Sequence, residues 1–289
     1  MQLDDCRRFY SKEIRFTANL DSPALIEAFA RVPREKFLGP GPWQIALPSN
    51  GLGETTYITI DDPCHLYHNV LIALDTTRNL NNGQPAALAT WINALNLKTG
   101  DRVFHLGCGV GYYTAIMAEV VGPGGSVLAS EVDSDLAARA RENLAGYPNV
   151  TVYAGDGAAL DTGICDAMFI NAGVTHPHPP WLEWLGHGGR IMLPITASMG
   201  NTGLGKGVML RITSDRGHLA AKVVSDVAVY SCTSVRDPRL EPLIRKALAT
   251  RSLRQLKSVR RDPHEQIDTC VVHARDVCLS SVQPVRTSR

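Results

Sequence analysis

The chain has 289 residues, with 29 Lys and Arg against 28 Asp and Glu and a formal net charge of +1. A hydrophobic share of 44% with 20% charged residues excludes a disordered polyelectrolyte, and the balanced charge excludes a globally basic nucleic-acid binder. No apolar run is long enough to span a bilayer, and 7 cysteines without a CxxC pair predict reduced thiols in a cytoplasmic protein, with neither a disulfide framework nor a zinc site.

The N-terminal MQLDDCRRFYSKEIRF opens on acids and lacks the apolar segment of a secretory signal. SPALIEAFARV reads as a helix, and the Pro- and Gly-rich GPGPWQIALPSNG after it suits a cap over one end of a sheet. Residues 1–95 are assigned to this cap, on the substrate side. Within it, CHLYHN groups His65, Tyr67, His68 and Asn69 just before an apolar run, a set that can supply a base and hydrogen-bond donors. From Leu97 onward strands and helices alternate. RVFHLG is a strand, YYTAIMAEVV a helix stopped at Gly122-Pro123, and GSVLASEV a second strand. Asp133 or Ser134 caps the next helix, DLAARARENLAGY. NVTVYAGD, CDAMFINAG and GGRIMLPIT are further strands, with PPWLEWLG a short helix before the last.

This alternation predicts βαβ units and an α/β fold: a doubly wound, Rossmann-like, mainly parallel sheet over residues 96–235. After Thr196, GVMLRITSDRGHLAAKVVSDVAVYSC reads as antiparallel strands around a turn at Asp215–His218, at the sheet edge. Residues 236–289 form a C-terminal extension: a helix in RLEPLIRKALA, the basic RSLRQLKSVRR, one or two strands in TCVVHARDVCLS, and a frayed tail in SVQPVRTSR. The basic stretch lacks interleaved aromatics and reads as a solvated face.

HLGCGVGYY places Gly107, Gly109 and Gly111 where the first strand turns into a helix, which lets a ligand approach the backbone. Glu131 ends the second strand, where an acid accepts hydrogen bonds from ribose hydroxyls. Asp156, in the GDG that ends the third strand, is placed to accept from an adenine amino group. The GxGxG spacing disfavours a nicotinamide dinucleotide.

ARVPREKFLGP (30–40), NNGQP (81–85), LKTGDRVFHLGCGVGYYTAIMAEVVG (97–122), VLASEVDSDLAARARENL (127–144), NVTVYAGDG (149–157) and GGRIMLPI (188–195) together resemble a class I S-adenosylmethionine (SAM)-dependent methyltransferase. Within that class they are most similar to the protein-L-isoaspartate O-methyltransferase family. The resemblance implies that the Gly107–Gly111 loop, with Cys108, wraps the methionine part of SAM. It also implies that Glu131 holds the ribose and that Asp156 and Gly157 meet the adenine. Tyr112 and Val132 complete the expected cofactor set, and Gln84 is expected near the sulfonium. Asn171 ends the fourth strand, where its amide can orient the substrate or the methionine carboxylate.

In the repair methyltransferases the segment matching NNGQP reads approximately T-I-S-x-P, so Asn81 and Gly83 stand where hydroxyls face the substrate. The resulting expectation is O- or N-methylation of a small-molecule or peptide acceptor, not ordinary isoaspartyl repair. Its catalytic residues are Tyr67, His68, Gln84 and Asn171. His176 and His178 are not joined by other ligands, so no metal site is expected. The alternatives are isoaspartyl or other carboxyl O-methylation, intramolecular displacement on the aminobutyrate chain of SAM, and an inactive SAM-binding regulatory protein. The partner is a small-molecule or peptide substrate, with no membrane or nucleic acid; a homodimer stays open.

Overall fold

The computed structural model describes residues 2–47, 55–200 and 203–284. In chain order the first elements are α1 (Leu3–Thr17), α2 (Pro23–Arg31), β1 (Trp43–Ala46), β2 (Tyr57–Ile60), β3 (Ala73–Asp75), β4 (Leu80–Asn81) and α3 (Pro85–Leu95). Then follow β5 (Arg102–Leu106), α4 (Tyr112–Val121), β6 (Ser126–Glu131), α5 (Ser134–Asn143), β7 (Val150–Ala154), β8 (Cys165–Ile170), α6 (Pro179–Glu183) and β9 (Leu185–Ser198). The last are β10 (Leu204–Asp215), β11 (His218–Tyr230), α7 (Glu241–Ala249), β12 (Ser258–Arg260), β13 (Cys270–His273) and β14 (Cys278–Ser280). Two compact units divide the chain. One takes Met1–Gly100, Cys108–Val127 and Asp133–Ala154; the other takes Asp101–Gly107, Leu128–Val132 and Gly155–Arg289. This division does not follow the segments 1–95, 96–235 and 236–289.

In the first unit, α1 turns Cys6, Tyr10 and Ile14 inward at four-residue spacing and leaves Phe9 and Phe16 exposed. No element was expected there, because charged residues crowd the outer face. In α2, Ser22 caps the helix by accepting from the Leu25 N–H, Pro23 takes the first turn, and Leu25, Ala28 and Phe29 are buried. Tyr10, Phe29, Phe37, Tyr67, Tyr112 and Tyr113 form an edge-to-face aromatic core with ring centroids 5.0 to 6.5 Å apart. Of the two candidate caps for α5, Asp133 is the one used; it accepts from the Asp135 and Leu136 N–H groups. One expectation is corrected here: Cys6 and Cys64 form a disulfide, with Cα atoms 5.7 Å apart. The inward face of α1 meets the turn at Pro63–Leu66 and brings the two sulfurs together. Cys108, Cys165, Cys232, Cys270 and Cys278 are buried and are not disulfide-bonded.

In the second unit the strand order is β13-β14-β12-β11-β10-β9-β8-β5-β6. β8 runs parallel to both β5 and β9, and every pairing from β9 outward is antiparallel. The β10–β11 hairpin turns at Arg216 and Gly217, both at positive φ, as its twist requires. It does not form the edge expected of it, because β12, β14 and β13 continue the sheet beyond it. The basic stretch is partly spent on ion pairs: Arg254 with Asp226, Arg260 with Asp262, and Arg261 with Glu183. Residues 285–289 of the expected tail and residues 1 and 48–54 of the expected cap lie outside the described residues. No helix among the described residues is long and apolar enough to cross a membrane.

His105 lies within β5, 1% exposed, stacked on Phe169 with centroids 5.2 Å apart. Burial pushes its pKa down to about 3. The folded chain therefore holds the neutral ring. The stability this contributes is complete above the unfolded value of about 6.5 and is lost as pH falls from there toward 3, at up to roughly 1.4 kcal/mol per pH unit. Chemical denaturation of the wild type and of His105→Phe across this window should give a shallower pH slope in the variant. Equal slopes would remove His105 as the cause.

Candidate functional site

Within the second unit, the carboxyl ends of β5, β6 and β8 are tied by backbone hydrogen bonds. The Gly107 N–H donates to the Ser130 carbonyl at 2.8 Å, and the Asn171 N–H to the Leu106 carbonyl at 2.8 Å. The Gly155 N–H donates to the Glu131 carbonyl, also at 2.8 Å. These bonds bring Gly107, Glu131, Asp156, Gly157 and Asn171 to one end of the parallel strands, where open α/β sheets bind ligands. Glu131 is a buried acid, 8% exposed, while Val132 beside it is exposed. Asn171 turns its Nδ2 to the Gly107 carbonyl at 3.4 Å, so its amide braces the start of the glycine loop. Asp156 accepts at one oxygen from the Ala158 N–H at 3.0 Å and from the Ser234 hydroxyl at 3.1 Å. His178 lies by the same turn, and burial pushes its pKa down while the Ala158 backbone and Asp156 oppose the shift.

Gly157 packs flat on the end of β6. A Cβ there would overlap the Ser130 hydroxyl and stand 2.9 Å from Ser130 Cβ. The Ser130 hydroxyl itself is buried with no hydrogen-bond partner. A buried carboxylate, an unsatisfied buried hydroxyl and a turn with no side chain at its centre fit a ligand rich in hydroxyl and amino groups. Gly173 makes an equally close approach to Thr196, and Arg236 fixes it there. The Arg236 guanidinium donates to the Gly173 carbonyl at 2.9 Å, to Thr196 Oγ1 at 3.1 Å and to Glu241 at 2.6 Å. Burial alone would raise the Glu241 carboxyl, but hydrogen bonds from Arg236 and Ser198 outweigh it and hold the pKa at about 2.

In the first unit, Cys108 is buried and Gly109 has open space around the position of a Cβ, with φ +57°. Tyr112 is fully buried in the aromatic core, with its hydroxyl 3.5 Å from that of Tyr10. Its place is in the packing, not on a ligand-facing surface. Tyr67 is 1% exposed. Its hydroxyl accepts from the Arg34 N–H at 3.0 Å and from Arg7 Nε at 3.1 Å, and it donates to Glu35. Burial and that bond to Glu35 push its pKa far up, so Tyr67 is a fully engaged structural group. His68 is exposed, with Nδ1 3.7 Å from Glu13. The segment works instead through Asn69, whose side-chain oxygen accepts from the Ala86 N–H at 2.9 Å and so caps the start of α3.

The NNGQP loop sits directly before that cap. Gly83 has φ +73°, and a Cβ there would stand 3.0 Å from Leu88 and 3.4 Å from the Tyr113 ring. The Tyr113 hydroxyl donates to the Gly83 carbonyl at 3.2 Å, and the Tyr57 hydroxyl donates to Asn81 at 3.2 Å. Gln84 is exposed at the helix N-cap. Asn82 was passed over in the sequence reading, yet it is 8% exposed and its Nδ2 is buried without a hydrogen-bond partner. The only signal for it was its place between Asn81 and Gly83.

Residues 54–229 match the family model described as Protein-L-isoaspartate(D-aspartate) O-methyltransferase (PCMT). The chain is 30% identical over 199 residues to protein-L-isoaspartate O-methyltransferase 1 of Archaeoglobus fulgidus, covering 68% of this chain and 82% of that one. It is 37% identical over 134 residues to the protein-L-isoaspartate O-methyltransferase of Ignicoccus hospitalis, covering 44% and 64%. Among solved structures, a protein-L-isoaspartate O-methyltransferase superposes with a TM-score of 0.59 at 21% identity, covering 83% of this chain and 69% of that one. A Plasmodium falciparum structure assigned to the same activity, in complex with S-adenosyl-L-homocysteine, also gives 0.59, at 17% identity, covering 78% and 98%. These structures share the fold, a mixed α/β Rossmann-like sheet with parallel central and antiparallel outer strands.

The contact between Gly157 and Ser130 yields a direct test. Gly157→Ala should destabilise the chain by about 1–3 kcal/mol through overpacking, and Ser130→Gly in the same chain should restore most of it. Denaturant titration of both variants measures this, and additive losses in the double variant would contradict the contact.

Proposed function

Because the chain belongs to the protein-L-isoaspartate(D-aspartate) O-methyltransferase family, we propose that it methylates the carboxylate of isoaspartyl residues in peptides or proteins. The chain is a SAM-dependent methyltransferase. The observation that carries the substrate is the extent of the family match, which covers 54–229 and so includes the NNGQP loop as well as every expected cofactor residue. This corrects the expectation that the loop rules out isoaspartyl chemistry: the altered residues lie inside the match, and the relatives that share it are isoaspartate methyltransferases.

Bound SAM supplies an electrophilic methyl group on a sulfonium. A carboxylate nucleophile is already anionic, so the chain needs no general base and no hydroxyl at position 83. Its tasks are to align the acceptor and to keep water away. The buried acid of Glu131 is suited to accept from ribose hydroxyls, and the turn at Asp156 and Gly157 to meet the adenine. Positive φ at Gly107, Gly109 and Gly111 leaves the backbone of the loop open to the methionine end. Asn82 takes the acceptor role that hydroxyls would otherwise fill. Its unpaired Nδ2 is a donor of the right kind for a carboxylate oxygen, and a buried donor without a partner gains most from such a bond.

Incubation of the protein with SAM and an isoaspartyl peptide should give a base-labile methyl ester, with the matching aspartyl peptide unmodified. No ester on the isoaspartyl peptide would refute the proposal. Asn82→Ala should raise KM for the peptide about tenfold, a loss of roughly 1.4 kcal/mol, and leave SAM affinity unchanged. An unchanged KM would remove Asn82 from the acceptor site.

A further inference from the structure

The C-terminal extension contains four side chains that the methyltransferase reading does not use. His264, Cys270, His273 and Cys278 place one ligand atom each within 4.8 Å of one another. All four lie beyond the family match, which ends at residue 229. The sequence spacing hides them. There is no CxxC pair, and the ligands run H-x5-C-x2-H-x4-C.

The fold assembles them from three places. β13 carries Cys270 at one end and His273 at the other, and the antiparallel register sets His273 directly opposite Cys278 on β14. A bulge between Cys270 and Val272 shifts the register on this short strand. His264 comes from the irregular stretch 261–269 and closes the group, with Nε2 3.5 Å from Cys270 Sγ and its ring 4.8 Å from that of His273.

The surroundings match those of a metal centre. His264 Nδ1 stands 2.7 Å from the Asp262 carbonyl, so a proton on Nδ1 leaves the Nε2 lone pair facing Cys270. The Ile267 N–H points at Cys270 Sγ at 3.5 Å, a contact that stabilises a thiolate. His273 Nδ1 is buried with no hydrogen-bond partner, a polar atom that otherwise carries a desolvation cost. Cys270 and Cys278 are 9% and 1% exposed.

We propose that His264, Cys270, His273 and Cys278 bind one zinc ion in a closed, tetrahedral, structural site. Two thiols and two imidazoles suit zinc over the harder, oxygen-seeking cations. On binding, both thiols lose their protons to solvent, and two thiolates with one divalent ion leave the buried site electrically neutral. Metal–ligand bonds of about 2.0–2.3 Å put tetrahedral ligand atoms about 3.3–3.8 Å apart, so the widest present separation needs to close by roughly 1 Å. Four protein ligands leave no open position, so the ion serves architecture and not chemistry. It pins the irregular stretch 261–269 to the β13–β14 hairpin at the outer edge of the sheet.

Full-length protein purified without chelator should contain about one zinc per chain by plasma mass spectrometry. Replacement of zinc by cobalt should give d–d absorption of tetrahedral strength and a thiolate-to-cobalt charge-transfer band. Removing the ion with a strong chelator should lower Tm by about 5 °C or more, and zinc should restore it. Cys278→Ser should abolish the cobalt charge-transfer spectrum or shift it to a single-thiolate form; if that variant does not fold, the metal content and cobalt spectrum of the wild type decide alone. Protein that contains no zinc and takes up none when it is supplied overturns the proposal. So does a Cys270–Cys278 disulfide found by mass spectrometry of the freshly purified chain.

Discussion

The first unit depends on one buried cation. The Arg34 side chain is wholly buried, and its guanidinium donates to the carbonyls of Leu66 at 2.7 Å, His68 at 3.1 Å and Val70 at 2.9 Å. The rings of Tyr10 and Tyr112 lie 5.9 and 5.8 Å from its central carbon. Hydrogen bonds to a charged donor are worth about 1.5–3 kcal/mol each, and a guanidinium can serve three carbonyls without bending its fork. Residues 66–70 therefore have one available path. That path delivers Asn69 to the first turn of α3, and the cap it makes there holds the NNGQP loop in place. The NNGQP loop is thus positioned from Arg34, 50 residues upstream of Gln84, through the backbone of residues 66–70.

The second unit repeats the device. Arg236 gathers the Gly173 carbonyl, Thr196, Ser198 and Glu241, and so anchors the loop that follows β8 to β9 and α7. Here the cation has a carboxylate partner, which lowers the cost of burying it. The loop begins at Asn171, whose amide supports the Gly107 carbonyl. In both units a buried or half-buried arginine fixes the backbone next to candidate site residues.

The parallel strands and their helices were legible because they obey a simple period and carry strong punctuation: Gly122-Pro123 after α4, Asp133 before α5, and Arg216-Gly217 in the hairpin. α1 was not legible, since its inward face holds only Cys6, Tyr10 and Ile14 among many charges. The disulfide and the His–Cys cluster were missed for a shared reason. Both join residues through tertiary packing, at a separation of 58 residues in one case and across a strand pair with an irregular loop in the other. Among the candidate site residues, the glycine loop, Glu131 and Asp156 fall at strand ends that the pattern alone locates. Tyr67 and His68 were drawn in by residue type. Burial and the pairing with Arg7, Arg34 and Glu35 decide what Tyr67 does, and none of that is visible in CHLYHN.

Gly83 shows where inference from a motif to a substrate breaks down. A missing hydroxyl looks like lost chemistry only if the position is free to carry a side chain. At φ +73°, with Leu88 3.0 Å from where a Cβ would stand, a side chain would be strained; the backbone turn into α3 favours glycine on its own account. The polar groups around Gly83 come from Tyr113 on its carbonyl, from Tyr57 on Asn81, and from the loop's own Asn82, whose amide nitrogen is unpaired. Methyl transfer to a carboxylate asks the protein for alignment and dryness, and both can be supplied by a different set of side chains on the same backbone. Glycine at position 83 is therefore accounted for by the turn into α3 without reference to any acceptor.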